Sequence, residues 1–361
     1  MGIKHICQGI SCGILVLAMS LIGCGSPWAG CIHGSHEGER VRFMSYNVQN
    51  LFDGKYDGDE YPEFDPRSDA WGLSAYHQRL SRLREVIVSS AGSPDVVMLQ
   101  EIEGPDVLED LVKGYLRGEG YDYIAASLQA GSAIEVGIIS KFPITDVRFH
   151  YGQIGQWRTP RPIMEAEVVL PWGTCYLFNS HWKSKIGGAQ QTEPYRLASA
   201  AALKNRIKEI AGEDPDVYII AAGDFNTTPW DYRNSSGEYV PALMIYEDVR
   251  ASGYDVRYDA SLWLTADESQ LCKAKGSLFS PWLEDHHQDA GTFWYRGAWE
   301  AIDHIAGCIS FFNGMGMEYS SFAVITEGLV LDSGEPYRYD LRTGAGYSDH
   351  LPVVLTVMTV R

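Results

Sequence analysis

The sequence predicts an α/β protein of two similar halves, with packed sheets and converging acid-bearing strand ends. Apolar strands and amphipathic helices alternate from Val41 onwards. One unit occurs twice: an amphipathic helix, a Pro-Asp turn, an apolar strand and a terminal acid. Its first copy is residues 76–89, Ser93-Pro94-Asp95, Val96-Val97-Met98-Leu99 and Gln100-Glu101; its second is residues 195–210, Asp214-Pro215-Asp216, residues 217–222 and Asp224. The run Val217-Tyr218-Ile219-Ile220-Ala221-Ala222 is apolar on both faces, as a strand covered on both sides must be. Such a strand delivers Gly223-Asp224-Phe225-Asn226 to its C-terminal tip, where open sheets hold ligands.

The N-terminus reads as a processed leader. Lys4 and His5 precede an apolar stretch over 10–22, short for a membrane span. It ends in Leu21-Ile22-Gly23-Cys24, which resembles the bacterial lipoprotein processing box. Residues 1–23 are then a lipoprotein signal peptide, Cys24 the lipidated first residue, and 24–40 a tether of Gly, Ser, His and Glu. A secretory signal cut near Ala29 is the alternative. The expected location is a bacterial cell envelope, lipid-anchored, with periplasmic or secreted as alternatives.

Val41-Arg42-Phe43-Met44-Ser45-Tyr46 is a strand ending at Asn47, and polar, Gly- and Pro-containing residues 53–72 form a loop. Helix 76–89 has Leu80, Leu83 and Ile87 at helical spacing, with Arg79, Arg82 and Arg84 on a face read as solvated. Residues 134–140, 164–170, 174–179, 301–309 and 351–357 fill out the sheets. Residues 228–290 show little periodicity and much Trp, Tyr and Asp, so short elements and an active-site rim are expected there.

With 45% hydrophobic and 12% aromatic residues, the 361-residue chain has material for a packed core. Its net charge of −18 excludes nucleic-acid binding through the whole surface and requires a local basic groove or a bound cation to accept phosphate. Seven cysteines include no metal-site spacing, and Cys175 and Cys308 sit in apolar segments as small hydrophobes.

Eight polar residues fall at strand ends: Asn47, Glu101, His181, Asp224, Asn226, Asp303, Asp349 and His350. Their segments are Met44-Ser45-Tyr46-Asn47-Val48-Gln49-Asn50, Leu99-Gln100-Glu101, Asn179-Ser180-His181, Gly223-Asp224-Phe225-Asn226, Ala301-Ile302-Asp303-His304 and Ser348-Asp349-His350. In this order they resemble the endonuclease/exonuclease/phosphatase superfamily. That resemblance covers roughly residues 41–361 and implies a deoxyribonuclease I-like fold, a four-layer α/β sandwich of two packed mixed sheets flanked by helices.

The resemblance also implies roles, consistent with what phosphoester hydrolysis needs. Glu101 is the central metal ligand, with Asn47 and Asp349 completing a site for Mg²⁺, or for Mn²⁺ or Ca²⁺. Asp224 and Asn226 orient water and phosphate. His350 acts near the phosphate and is held by Asp303; His181 is the second histidine, with Glu135 as its candidate acidic partner. Arg161, next to Pro162, with Lys183 and Lys185 are substrate-binding candidates. His181-Trp182-Lys183-Ser184-Lys185 and Gly291-Thr292-Phe293-Trp294-Tyr295-Arg296 resemble segments of secreted bacterial nucleases. Trp157 and Trp182 either stack on bases or pack the rim.

The expected function is an exported Mg²⁺-dependent phosphodiesterase, a nonspecific endonuclease acting as a monomer on DNA or RNA, touching the membrane only through its lipid. Ile102-Glu103 departs from deoxyribonuclease I, which has an Arg here for the minor groove. The alternatives are a phosphatase or phospholipase C-like enzyme on inositol phosphates or sphingolipid, or a non-catalytic surface lipoprotein. The Trp-Cys-Asp-Arg segment of inositol polyphosphate 5-phosphatases is missing.

Overall fold

The computed structural model describes residues 19–20, 38–68, 70–234, 239–251, 256–271, 276–284 and 290–360. The signal peptide's cleavage site, Cys24 and nearly all of the tether lie outside them.

Two mixed sheets pack face to face. The first contains β1 (Arg40–Leu51), β2 (Val96–Ile102), β3 (Tyr123–Ala126) and β4 (Glu135–Ser140). The second contains β5 (Ile144–His150), β6 (Ile163–Leu170), β7 (Gly173–His181), β8 (Tyr218–Asp224), three short strands β9 (Leu243–Ile245), β10 (Leu262–Thr265) and β11 (Leu278–Phe279), and β12 (Asp303–Gly307). The chain then returns to the first sheet with β13 (Gly316–Val324) and β14 (Val353–Val360). The strand orders are β3-β4-β2-β1-β14-β13, with Met19–Ser20 beside β3, and β9-β10-β11-β12-β8-β7-β6-β5.

The repeated unit is visible as two parallel pairs. Helix α1 (Leu73–Arg84) connects β1 to β2, and a long helix α2 (Ala189–Glu213) connects β7 to β8. Parallel neighbours need such a crossover, since a tight turn cannot return the chain in the same direction.

Period-2 alternation explains the layering. In β1 and β2, Phe43, Val96 and Met98 face the second sheet, while Met44, Tyr46, Val97 and Leu99 pack with Leu80, Leu83 and Ile87 of the helical layer. Ala200, Leu203 and Ile207 of α2 cover the second sheet. Both faces are buried, so these strands read as continuous apolar runs. Cys175 and Cys308 are buried within that core.

Three expectations change. Arg79 does not sit on a solvated face: it is 4% exposed, under the end of β1 and the segment around Tyr339 and Tyr347. Residues 228–290 extend the second sheet through β9, β10 and β11, with a satellite core of Met244, Tyr246, Val249, Tyr258 and Trp263, so much of this segment is scaffold rather than rim. Helix α2 starts earlier than expected and carries Pro194 in its second turn.

Candidate active site

Register sets the centre of the site. His181 is level with Asp224 across β7–β8, and Asp224 with Asp303 across β8–β12. Gly223 makes this close approach possible: its φ is +134°, and a Cβ there would lie 1.9 Å from the Ser180 carbonyl oxygen. Asn47 and Glu101 arrive from the other sheet, at the tips of β1 and β2.

Asn47 joins the two sheets. Its Nδ2 donates to Glu101 Oε1 at 3.1 Å and to Asp224 Oδ2 at 3.0 Å. Glu101 Oε2 accepts from the Asn50 backbone N–H at 2.9 Å. Glu101 and Asn226 sit in the left-handed region, with φ of 65° and 52°. Such strain in non-glycine residues persists where surrounding structure over-determines it, commonly at functional sites.

The two histidines have opposite electrostatics. His350 Nδ1 lies 2.7 Å from Asp303 Oδ2, and its Nε2 is 4.0 Å from Asp224 Oδ2. Burial alone would lower its pKa, but Asp303, then Asp224 and Asp349, hold it well above the ordinary histidine value. His181 Nε2 is 3.5 Å from Asp224 Oδ2 and 3.7 Å from Glu101 Oε1. Burial, with the charges of Arg161, His350 and Lys183, pushes its pKa well down. Near pH 7, His350 is therefore charged and His181 neutral. Separation of paired groups in this way assigns acid and base roles.

The carboxylates form a cluster suited to a cation. Ligand atoms of Glu101, His181 and Asp224 lie within 4.8 Å of one another, as do those of Asp224, Asp303 and His350. Burial raises the pKa of Glu101, and Asp349 raises it further. Burial lifts Asp224 to about 7. Desolvated oxygens crowded together match the donor set of a hard divalent ion. Glu101 and Asn47 are in contact, and Asp349 is near enough for its charge to act on Glu101 and His350.

Arg161 donates from Nη1 to the Trp182 carbonyl at 2.9 Å, and its charge reaches Glu101 and His181. Asn226 donates from Nδ2 to the same carbonyl at 3.2 Å, and its N–H is held by Asp224 Oδ1 at 2.9 Å. Lys183 is partly exposed beside Arg161.

Two expected roles are corrected and one open alternative is decided. Glu135 is not paired with His181: its carboxylate accepts from the Ser127 hydroxyl and, at 2.9 Å, from the Gln129 N–H. Lys185 is not free for phosphate, because Asp231 and Glu300 hold it at 3.0 and 3.5 Å. Trp182 cannot stack on a base: it is 2% exposed and stacked on Phe225, with centroids 4.1 Å apart. Trp157, on a two-residue hairpin strand, is 70% exposed.

Sequence reasoning missed the supports beneath the site. Asn179, buried in β7, donates to Leu99 and Gly137 carbonyls in the opposite sheet at 3.0 and 2.9 Å, and accepts from Gln100 Nε2 at 2.7 Å. Its signal was a polar residue closing an apolar strand. Arg79 had no comparable signal, since helical arginines usually face solvent.

Fold and site together define a phosphoester-hydrolase architecture with acidic and histidine clusters that could hold a divalent metal. Residues 42–244 match the Endonuclease/Exonuclease/phosphatase family, and the chain belongs to it. No curated protein matches the sequence. Similar solved structures include the human Nocturnin catalytic domain with bound sulfate, at 16% identity and TM-score 0.52, covering 89% of this chain and 95% of that one. An endonuclease/exonuclease/phosphatase family protein from Bacteroides thetaiotaomicron matches at 16% identity and TM-score 0.52, covering 90% and 97%. TDP2 of D. rerio, complexed with a single-strand DNA product, matches at 18% and 0.51, covering 88% and 98%.

Proposed function

We propose that the protein is an exported, Mg²⁺-dependent phosphodiesterase, a nonspecific nuclease of DNA or RNA. The observation that carries this reading is the buried Asn47–Glu101–Asp224 contact between sheets, flanked by His350, 2.7 Å from Asp303, and by His181, 3.5 Å from Asp224. Arg161 and Lys183 beside His181 supply the local positive charge that the acidic chain otherwise lacks.

Glu101, with Asn47 and Asp349, would hold Mg²⁺, whose charge would offset that of the phosphate oxygens. His350 donates toward a non-bridging oxygen, and Asp303 keeps it charged and oriented. Asp224, with its carboxyl near neutrality, accepts a proton from the attacking water; a base poised near the working pH serves best. Asn226 holds Asp224 through its N–H. His181 borders the leaving-group side, and Arg161 binds phosphate oxygens.

The N-terminal sequence supports lipidation at Cys24 and a place on a bacterial envelope, with the catalytic domain acting as a monomer. Incorporation of labelled palmitate, lost in Cys24→Ser, tests the anchor. The activity is tested with purified protein on plasmid, single-stranded DNA, RNA, phosphoinositides and sphingomyelin, in Mg²⁺ or chelator. Metal-dependent cleavage of nucleic acid, abolished in Asp224→Ala and His350→Ala, is expected. Lipid release alone would overturn the nuclease assignment.

A further inference from the structure

Helix α1 sends one arginine into the protein instead of out of it. Arg79 donates from Nη1 to the Tyr347 carbonyl, and from Nη2 to the carbonyls of Val48 and, at 2.9 Å, Gln49. Its guanidinium carbon lies 4.2 Å from the centroid of the Tyr339 ring. Among the described residues, no carboxylate pairs with it. A buried arginine of the other half, Arg196 on α2, differs: it binds the Lys183 carbonyl at 2.9 Å but also pairs with Glu193.

A buried cation without a carboxylate partner is costly, so its placement calls for a reason. The three carbonyls it grips belong to two segments far apart in sequence. Val48 and Gln49 directly follow Asn47, whereas Tyr347 lies two residues before Asp349. The same junction is closed by Ser348, whose hydroxyl donates to the Asn47 carbonyl at 2.7 Å, and by Gln49, whose amide exchanges hydrogen bonds with the Tyr339 backbone at 2.9 and 3.2 Å. Arg79 brings a buried positive charge to this junction, and the charges of Asp349 and Glu101 act on it.

We propose that Arg79 is a positioning residue for the divalent-metal centre, its guanidinium fork fixing the segments that carry Asn47 and Asp349. The inference rests on the metal-centre reading above. Two effects of removing it oppose each other. Loss of a nearby positive charge favours cation binding, whereas displaced ligands weaken it. Lys keeps the charge but cannot span three carbonyls with a planar fork, so it separates the two effects.

The test is Mn²⁺ binding by calorimetry to purified wild type, Arg79→Lys, Arg79→Met and Gln49→Leu, with melting in chelator recorded for each. Supports around metal ligands commonly change affinity by about ten- to a hundred-fold, and a loss in that range is expected for Arg79→Lys. Arg79→Met is expected to bind weakly as well. Gln49→Leu loosens the same junction with Arg79 intact and is expected to weaken binding several-fold. Wild-type affinity in a folded Arg79→Lys, or tighter binding in Arg79→Met, would overturn the inference. If Arg79→Lys and Arg79→Met do not fold, an unchanged affinity in Gln49→Leu overturns it. Absence of Mn²⁺ binding by wild type would instead remove the metal centre itself, and this inference with it.

Discussion

Replacing Asn179 with Leu removes the polar link between the two sheets directly below the site. Asn179 is fully buried, and its side chain makes two donated and one accepted hydrogen bond, all to the opposite sheet. Leu has nearly the same size, so little cavity term arises. Each bond contributes about 1 kcal/mol net, and groups left unsatisfied cost about 1–3 kcal/mol. Gln100 Nε2 keeps longer contacts to Ser45 Oγ and the Met98 carbonyl, both at 3.3 Å, which limits its share. The expected loss is about 3–5 kcal/mol, a large part of the roughly 5–15 kcal/mol typical of a folded domain. Urea denaturation of wild type and variant at pH 7 measures it. The double variant Gln100→Leu/Asn179→Leu should be less destabilised than the sum of the single variants, because both partners of one bond are then gone. A loss below about 1 kcal/mol, or strict additivity, would refute the view that this link is a principal tie between the halves.

Trp182→Ala should destabilise by about 3–5 kcal/mol as a large core truncation, whereas Trp157→Ala should leave the urea midpoint unchanged; the reverse pattern would contradict their burial. Glu165 is buried, and hydrogen bonds from Arg206 and His150 outweigh desolvation to hold its pKa at about 2. Its folded value is depressed, so its contribution is present above the ordinary carboxylate range and fades as pH falls from about 4.5 toward 2. That contribution is about 3 kcal/mol, so Glu165→Gln should be less stable at pH 7, with the gap closing by pH 2; a constant gap would refute the assignment. Imidazole NMR of metal-free protein should show His350 protonated at pH 7.5 and His181 neutral at pH 6. Two histidines titrating together near 6.5 would refute the division of roles.

The eight polar strand ends were legible because each borders a short apolar run, before it or after it, and the fold class because helix, turn and strand recur in one order. Arg161 was singled out as a member of a segment with a recognisable pattern, and the structure places it beside His181. The partner of Glu135 was not legible: alternation places Glu135 in β4, but whether its carboxylate meets His181 or turns back to Ser127 depends on where residues 127–129 run. Lys185 was misread for a similar reason, because Asp231 and Glu300 reach it from distant segments.

By itself, then, the sequence determined which strands are buried and which side chains stand at their tips, since these follow from local periodicity and chain direction. Only the tertiary structure decided the charge states and the supports. The electrostatics of His350 and His181 come from burial, from Asp224 on β8 and Asp303 on β12, and from the connecting-segment residues Arg161, Lys183 and Asp349. Arg79 is buried because the end of β1 and the segment around Tyr339 and Tyr347 close over α1, and Asn179 ties the sheets because β7 lies across β2. Those are properties of packing between distant segments, to which a local pattern carries no signal.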